Sequence, residues 1–212
     1  MRFSLLALLF AATSAWADES VSVCYNYGCA AEQVVSFTEG QLAWVREMLA
    51  AAATAEGERQ WLSLAVGQLY AWAGEQSPIW RDRGGNYADQ GVPGSMDCID
   101  HSTTTTRLLR VLESRGWLRF HRVLEPVWRT RFVLFQHLSA LIEETPPRWL
   151  PKAAPAATRL LADDAPQSPV GESAEAAAAP RRFVVDSWFV DNGQPAVVLP
   201  LKQWKKGGGP NV

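Results

Sequence analysis

One unpaired cysteine stands out among the residues of this chain that could do chemistry. Cys98 begins a helical pattern directly after a turn-like segment, Gly94 to Asp97. A cysteine at a helix N-terminus meets free backbone N–H groups and the positive end of the helix dipole, and both favour a thiolate. The same N–H groups could stabilise an oxyanion during acyl transfer. We therefore expect a lowered pKa for the Cys98 thiol and a role for this residue as a nucleophile.

Acidic residues on both sides of Cys98 work against its ionisation. Asp97 and Asp100 bring negative charge close to the thiol. Their carboxylates could cap the helix, contact a substrate or bind a cation. With Cys98 and His101 they form a group whose types suit a metal ion, yet neighbouring helix positions point in different directions. We therefore predict neither a metal ion nor a cofactor for this protein.

A thiol hydrolase also needs a base. The chain has three histidines, which are His101, His121 and His137. His101 lies one helical turn after Cys98, which leaves little room for a substrate between them, so we expect it to face solvent or to hydrogen-bond a loop. Support of the site or contact with the substrate is the functional alternative. His121 alternates with apolar residues in a strand pattern and is expected to be structural. His137 begins another strand pattern and is the candidate base.

Asp186 is the residue that could orient His137. It lies in a further β-like run, residues 182–190. If the two strands pair antiparallel with His137 opposite Asp186, their Cβ atoms lie about 5 Å apart and the two side chains can hydrogen-bond. Neighbours such as Trp188 would bury Asp186 beside the site, where a carboxylate needs a partner. The alternative is that His137 packs in the core and Asp186 caps a strand end.

The other two cysteines are predicted to form a disulfide. Cys24 and Cys29 are separated by four residues that include Asn26 and Gly28, and such a segment can turn back on itself. A zinc site usually needs a second cysteine pair. A haem attachment would need a histidine directly after the second cysteine. The pairing leaves Cys98 as the free thiol.

The N-terminus predicts export. Residues 1–17 combine a positive charge at Arg2, an apolar run and Ala15-Trp16-Ala17, which is typical of a cleaved secretory signal. The alternative is an uncleaved anchor, but the apolar run is shorter than the roughly 20 residues that span a bilayer. No later segment is apolar enough for a span. We expect a periplasmic or secreted protein with no membrane span after cleavage.

Size and charge limit the possible architectures and partners. Residues 18–212 are enough for one domain with a substantial core. The formal net charge is −2 at pH 7, and the two signs are interspersed. Without a basic stripe the chain is poorly suited to holding a phosphate backbone. We therefore predict that nucleic acid is not a partner.

The order of the sequence patterns predicts an α+β fold. Two helices are expected within residues 38–74, a glycine-rich loop over residues 75–97 and a third helix from Cys98 to Ser114. Strand patterns follow over residues 117–124, 131–144, 182–190 and 196–199. Helices followed by strands favour N-terminal helices packed on an antiparallel sheet. Residues 145–180 are rich in proline and alanine, and we expect them to form a disordered insertion in a hairpin loop.

These residues resemble the transglutaminase-like (papain-like) cysteine peptidase superfamily. The shared features are Asp97-Cys98-Ile99-Asp100 at a helix start, His137 at a strand start and Asp186 in a later strand. The likeness covers about residues 94–204. It is closest to bacterial transglutaminase-like cysteine proteinases and extends to a group of exported proteobacterial proteins. It implies a papain-like core, with Cys98 as nucleophile, His137 as base and Asp186 as the orienting residue.

Two functions from different classes follow from this reading. The first is hydrolysis of an amide in a peptide or protein, for example in the cell envelope, through a thioester on Cys98. The second is a binding or scaffolding domain that has the same fold without catalysis. Ten tryptophans favour the second, because tryptophan-lined grooves bind sugars and peptides. Most of these tryptophans are nevertheless expected in the core.

Overall fold

The structure is a computed structural model that describes residues 18–131, 135–145 and 180–210. The predicted signal, residues 1–17, and residues 146–179 of the predicted insertion lie outside the described residues. The described part contains two antiparallel sheets and four α-helices, so the predicted α+β class is confirmed. None of the helices in these three ranges is both long enough and apolar enough to cross a bilayer.

A β-hairpin precedes the helices, which the sequence interpretation did not anticipate. Strand β1 (Glu19–Tyr25) pairs antiparallel with β2 (Ala31–Phe37). Apolar side chains alternate along both strands and enter the main core, as expected for a half-buried strand. They are Val21, Val23, Val35 and Phe37. The turn between the strands contains the Cys24–Cys29 disulfide, which confirms the predicted pairing.

Two helices follow the hairpin, as predicted. Helix α1 (Glu39–Ala50) begins at Thr38, whose capping box with Gln41 is present. Helix α2 (Ala55–Gln76) follows, and a short 3-10 helix (Pro78–Arg81) begins the predicted loop. Apolar residues of both helices form one core with residues of the two sheets. This core includes Leu42, Leu49, Leu62, Leu69, Ala140, Ile142 and Val185.

Helix α3 (Cys98–Ser114) has the bounds that the sequence predicted. It begins after Asp97, which caps its first turn. It ends before Gly116, which has a φ of 73° and adopts the left-handed conformation common after helices. Its buried apolar side chains are Leu108, Leu109 and Leu112. The free cysteine is therefore the first residue of a helix anchored in the core.

The second sheet has four antiparallel strands in sequential order. The strands are β3 (His121–Arg131), β4 (Phe135–Glu144), β5 (Arg182–Asp186) and β6 (Val197–Pro200), and a short helix α4 (Leu201–Lys205) follows them. Because β4 pairs with β5, residues 145–180 connect neighbouring strands, as predicted for an insertion in a hairpin. The predicted strand over residues 182–190 is too long, since β5 ends at Asp186 and a turn follows.

The register of β4 and β5 differs from the predicted one by two residues. Ala140 pairs with Val185, whereas a register with His137 opposite Asp186 would pair it with Phe183. A shift of two residues keeps every side chain on its original face, because the side-chain period of a strand is two. His137 and Asp186 are therefore diagonal rather than direct neighbours, on the same face of the sheet.

Candidate active site

His137 and Asp186 form a buried hydrogen-bonded pair. Nε2 of His137 lies 2.8 Å from Oδ2 of Asp186, and both residues are buried. The indole N–H of Trp204 donates to the same oxygen at 2.9 Å. An indole nitrogen can only donate, so Oδ2 acts as an acceptor and Nε2 of His137 holds its proton. Nδ1 is then the ring nitrogen that can accept a proton from another group.

Cys98 lies beside the strand that contains His137. The backbone of Leu138, the residue after His137, lies close enough to the Cys98 thiol to lower its pKa. Cys98 is partly exposed, and it is the free cysteine of the chain. It packs against an apolar cluster around the pair, which consists of Leu141, Val184, Trp188, Phe189 and Trp204. The structure thus brings the three predicted catalytic residues to one region.

The pKa of the Cys98 thiol is raised, and the predicted lowering by the helix dipole is wrong. Burial is the largest cause, and the negative charges of Asp97 and Asp186 act in the same direction. The backbone of Leu138 opposes them but does not reverse the shift. Cys98 is therefore a neutral thiol near neutral pH. It needs a base before it can act as a nucleophile.

Most N–H groups in the first turn of α3 already have partners. Oδ1 of Asp97 accepts hydrogen bonds from the backbone N–H groups of Ile99 and Asp100, each at 2.9 Å. These two groups are thus engaged in capping, which corrects the expectation that they could hold an oxyanion. Within the described residues the N–H of Cys98 takes no part in this capping, so it is the group of the turn that could serve that role.

Asp97 and Asp100 also hold the disulfide loop against the start of α3. Asp97 accepts a hydrogen bond from the N–H of Gly28 at 3.0 Å. Asp100 accepts from the N–H groups of Tyr27 and Cys29 at 2.8 and 2.6 Å. All three loop residues have positive φ angles, so their successive N–H groups converge in a nest that suits a carboxylate. These contacts fix the position of the helix start.

Asp100 is expected to make the stability of the protein depend on pH. Burial raises the pKa of this carboxyl to about 6, from an ordinary value of 3.8. Between these values the folded chain holds a proton that the unfolded chain has lost. The contribution of Asp100 to the free energy of unfolding is therefore greatest below about pH 4 and falls as the pH rises to about 6. In urea titrations, the wild type should lose stability relative to Asp100→Asn between these pH values. A difference that does not change with pH would refute this assignment.

His101 belongs to a separate buried network behind the site. Its Nε2 lies 3.0 Å from Oδ2 of Asp82, and its Nδ1 lies 2.9 Å from Oγ of Ser187. Its ring stacks on Tyr70 with centroids 5.8 Å apart. The network connects α3 with the loop after α2 and with the residue that follows Asp186. His101 is thus placed to support the two elements that carry Cys98 and Asp186.

The acidic and histidine residues next to Cys98, whose types suit a metal ion, have other hydrogen-bond partners. Asp97 and Asp100 bind backbone N–H groups, whereas His101 binds Asp82 and Ser187. Within the three described ranges, the group of three or more potential ligands whose atoms all lie within 4.8 Å of one another is Cys24, Cys29 and Glu32. Two of these are joined in the disulfide.

Aromatic rings enclose His137. Trp188, Phe189 and Trp204 have ring centroids 4.9, 5.5 and 5.7 Å from the imidazole. Trp188 lies beside the site, where the sequence analysis expected it. Trp204 was not predicted as a site residue. It lies in α4, and the turn after β5 together with strand β6 brings this helix back to Asp186. The sequence offers no local signal for that contact.

Arg129 is a second site residue that sequence reasoning missed. It lies directly opposite His137 on β3 and is buried. Its Nη1 donates to the carbonyl groups of Trp204 and Gly208 at 2.8 and 3.0 Å. Burial lowers the pKa of this guanidinium, and the charge of Asp186 acts in the opposite direction. Strand alternation in β3 could have indicated it, as a charged residue on the face of the sheet that bears His137.

Comparison of the chain with protein-family models, with curated proteins and with solved structures finds no match. The resemblance to transglutaminase-like peptidases therefore remains a prediction that rests on the residues named above. A function for the chain can be proposed from the geometry of this site.

Proposed function

We propose that this protein is an exported, thiol-dependent amide hydrolase of the transglutaminase-like type. Cys98 is the nucleophile, His137 is the base, and Asp186 orients the base. The observation that carries this proposal is the buried 2.8 Å hydrogen bond between His137 and Asp186, next to a free thiol at a helix start. A nucleophile, a base and a third group that holds the base form the arrangement of covalent hydrolases. The proposal includes a papain-like core with the helices packed on the sheet.

The reaction proceeds in two stages. Nδ1 of His137 accepts the proton of the Cys98 thiol, and the sulfur attacks the carbonyl carbon of the amide. Asp186 stabilises the imidazolium, which then gives its proton to the leaving amine as the carbon–nitrogen bond breaks. Water, which loses a proton to His137, attacks the resulting thioester and releases a carboxylic acid. The proton returns from His137 to the sulfur, and these steps need no cofactor.

The disulfide supports a location in an oxidising compartment. Disulfides such as Cys24–Cys29 persist in the periplasm and outside the cell and are rare in the cytosol. We infer that the protein acts there, after removal of residues 1–17. Its substrates are amides of peptides or proteins, including those of the cell envelope.

Acyl transfer from p-nitrophenyl acetate tests the function without knowledge of the natural substrate. Wild-type protein is expected to form an acetyl adduct on Cys98, detectable by mass spectrometry, and to lose it by hydrolysis. Cys98→Ala should form no adduct and should release p-nitrophenolate at the uncatalysed rate. Equal release by the two proteins would rule out Cys98 as the nucleophile.

The second candidate function is a binding domain without catalysis. It is favoured by the raised pKa of the Cys98 thiol, and among the described residues no hydrogen bond joins this thiol to the ring of His137. A catalytic contact can be long in a structure without substrate and shorten in the complex. The acetyl adduct distinguishes the two functions, since Cys98 in a binding domain would be acetylated no faster than an ordinary buried thiol.

A further inference from the structure

Tyr87 is an exposed aromatic residue that adjoins the buried rings of the site. It is 72% exposed, whereas Trp188 is 4% exposed. The ring centroids of Tyr87 and Trp188 lie 4.7 Å apart, and those of Trp188 and His137 lie 4.9 Å apart. The three rings therefore form a row that leads from solvent to the candidate base.

The phenol of Tyr87 lies within electrostatic reach of charged groups of the site. Burial raises the pKa of its phenol, although most of the residue is exposed. Three charged or ionisable groups of the site also act on this phenol: Arg129 lowers its pKa, and Cys98 and Asp186 raise it. The exposed side chain of Tyr87 contacts Trp188, and Trp188 belongs to the apolar cluster against which Cys98 packs.

The loop that presents Tyr87 is held in place from one side. The N–H of Gly85 donates to the carbonyl of Trp188 at 2.8 Å. Gly84 packs so closely on Val190 that a Cβ atom there would lie 2.5 Å from its backbone. A fixed loop that exposes a large ring has already lost the conformational entropy that binding would otherwise cost.

We propose that Tyr87 is a substrate-binding residue that selects peptide amides with an aromatic or large aliphatic side chain next to the scissile bond. This inference rests on the proposed function of Cys98 and names the substrate class of that site. Contact between the exposed ring and an apolar side chain removes both surfaces from water, and two aromatic rings gain further from an offset or edge-to-face arrangement. Trp188 contacts this ring and belongs to the same apolar cluster as Cys98, so a side chain bound on Tyr87 would lie near the thiol.

Two alkylating probes of different size test this selectivity on Cys98. The probes are iodoacetamide and N-benzyl-2-iodoacetamide, and the measured quantity is the ratio of their second-order rate constants, benzyl over unsubstituted. The wild type should favour the benzyl probe, and Tyr87→Ala should reduce that ratio about 3- to 10-fold, the range expected from loss of one aromatic contact. Tyr87→Phe should keep the wild-type ratio, because it retains the ring.

The controls separate this inference from the function on which it rests. Trp44→Ala removes a partly exposed aromatic residue of α1 and should leave the ratio unchanged. A wild type without preference for the benzyl probe, or an equal ratio in wild type and Tyr87→Ala, would overturn the role of Tyr87. The proposed function is judged by a different quantity, the dependence of the iodoacetamide rate on His137, so either proposal can fail alone.

Discussion

Replacing His137 by alanine is expected to lower the rate of Cys98 acetylation at neutral pH by about 100-fold or more. Burial and nearby negative charge keep the thiol neutral in the resting protein. Ionisation then depends on a proton acceptor, which is Nδ1 of His137 because Nε2 donates to Asp186. The release of p-nitrophenolate in a single turnover, measured at the same probe concentration for both proteins, gives the two rates.

A matched control lies one residue away on the same strand. Gln136 is exposed, so Gln136→Ala should leave the acetylation rate unchanged and show that the effect of His137→Ala is local. Circular dichroism of both variants checks that the fold is retained. If His137→Ala and Gln136→Ala are acetylated equally fast, His137 is not the base.

Replacing Asp186 by alanine is expected to reduce both stability and acetylation. The substitution leaves the buried N–H groups of His137 and Trp204 without an acceptor, and each such loss costs about 1–3 kcal/mol. We therefore expect the free energy of unfolding to fall by about 3 kcal/mol, measured by urea titration. Acetylation should fall by about 100-fold or more, since the imidazole is no longer oriented and its cation is no longer stabilised.

The amide variant separates hydrogen bonding from charge at this position. Asp186→Asn can place its carbonyl oxygen where Oδ2 lies and still accept from His137 and Trp204. It should therefore keep most of the stability and lose less acetylation activity than Asp186→Ala. Glu125→Ala serves as a surface control, because its carboxylate is exposed and such ion pairs contribute about 0–1 kcal/mol. Equal losses in Asp186→Asn and Asp186→Ala would show that the hydrogen bonds do not matter.

The parts of the site that could be predicted depend on local patterns. Helix α3 was predictable because Asp97 caps its start and Gly116 follows its end. The contact between His137 and Asp186 was predicted although the predicted register is wrong by two residues. A shift of two residues leaves both side chains on the same face of the sheet. The free state of Cys98 followed from the short spacing of the other two cysteines.

The parts that were missed depend on contacts between distant segments. Trp204 and Arg129 lie far from Cys98 in sequence and approach it only when the second sheet is assembled. The predicted direction of the Cys98 pKa shift is wrong because the position of Cys98 at a helix start does not reveal the burial that tertiary packing imposes on the thiol. The N-terminal hairpin did have a local signal. Val21 and Val23 alternate with polar residues before the disulfide loop, and Val35 and Phe37 do so after it.

The pH dependence of Cys98 alkylation by iodoacetamide tests the central claim most directly. If His137 is the base, the wild type reacts at neutral pH, because the imidazole accepts the thiol proton before the thiol ionises by itself. His137→Ala should lack this reaction at neutral pH and react only at the higher pH at which the thiol itself ionises, since burial raises its pKa. A single rise at high pH, identical in the two proteins, would contradict the account.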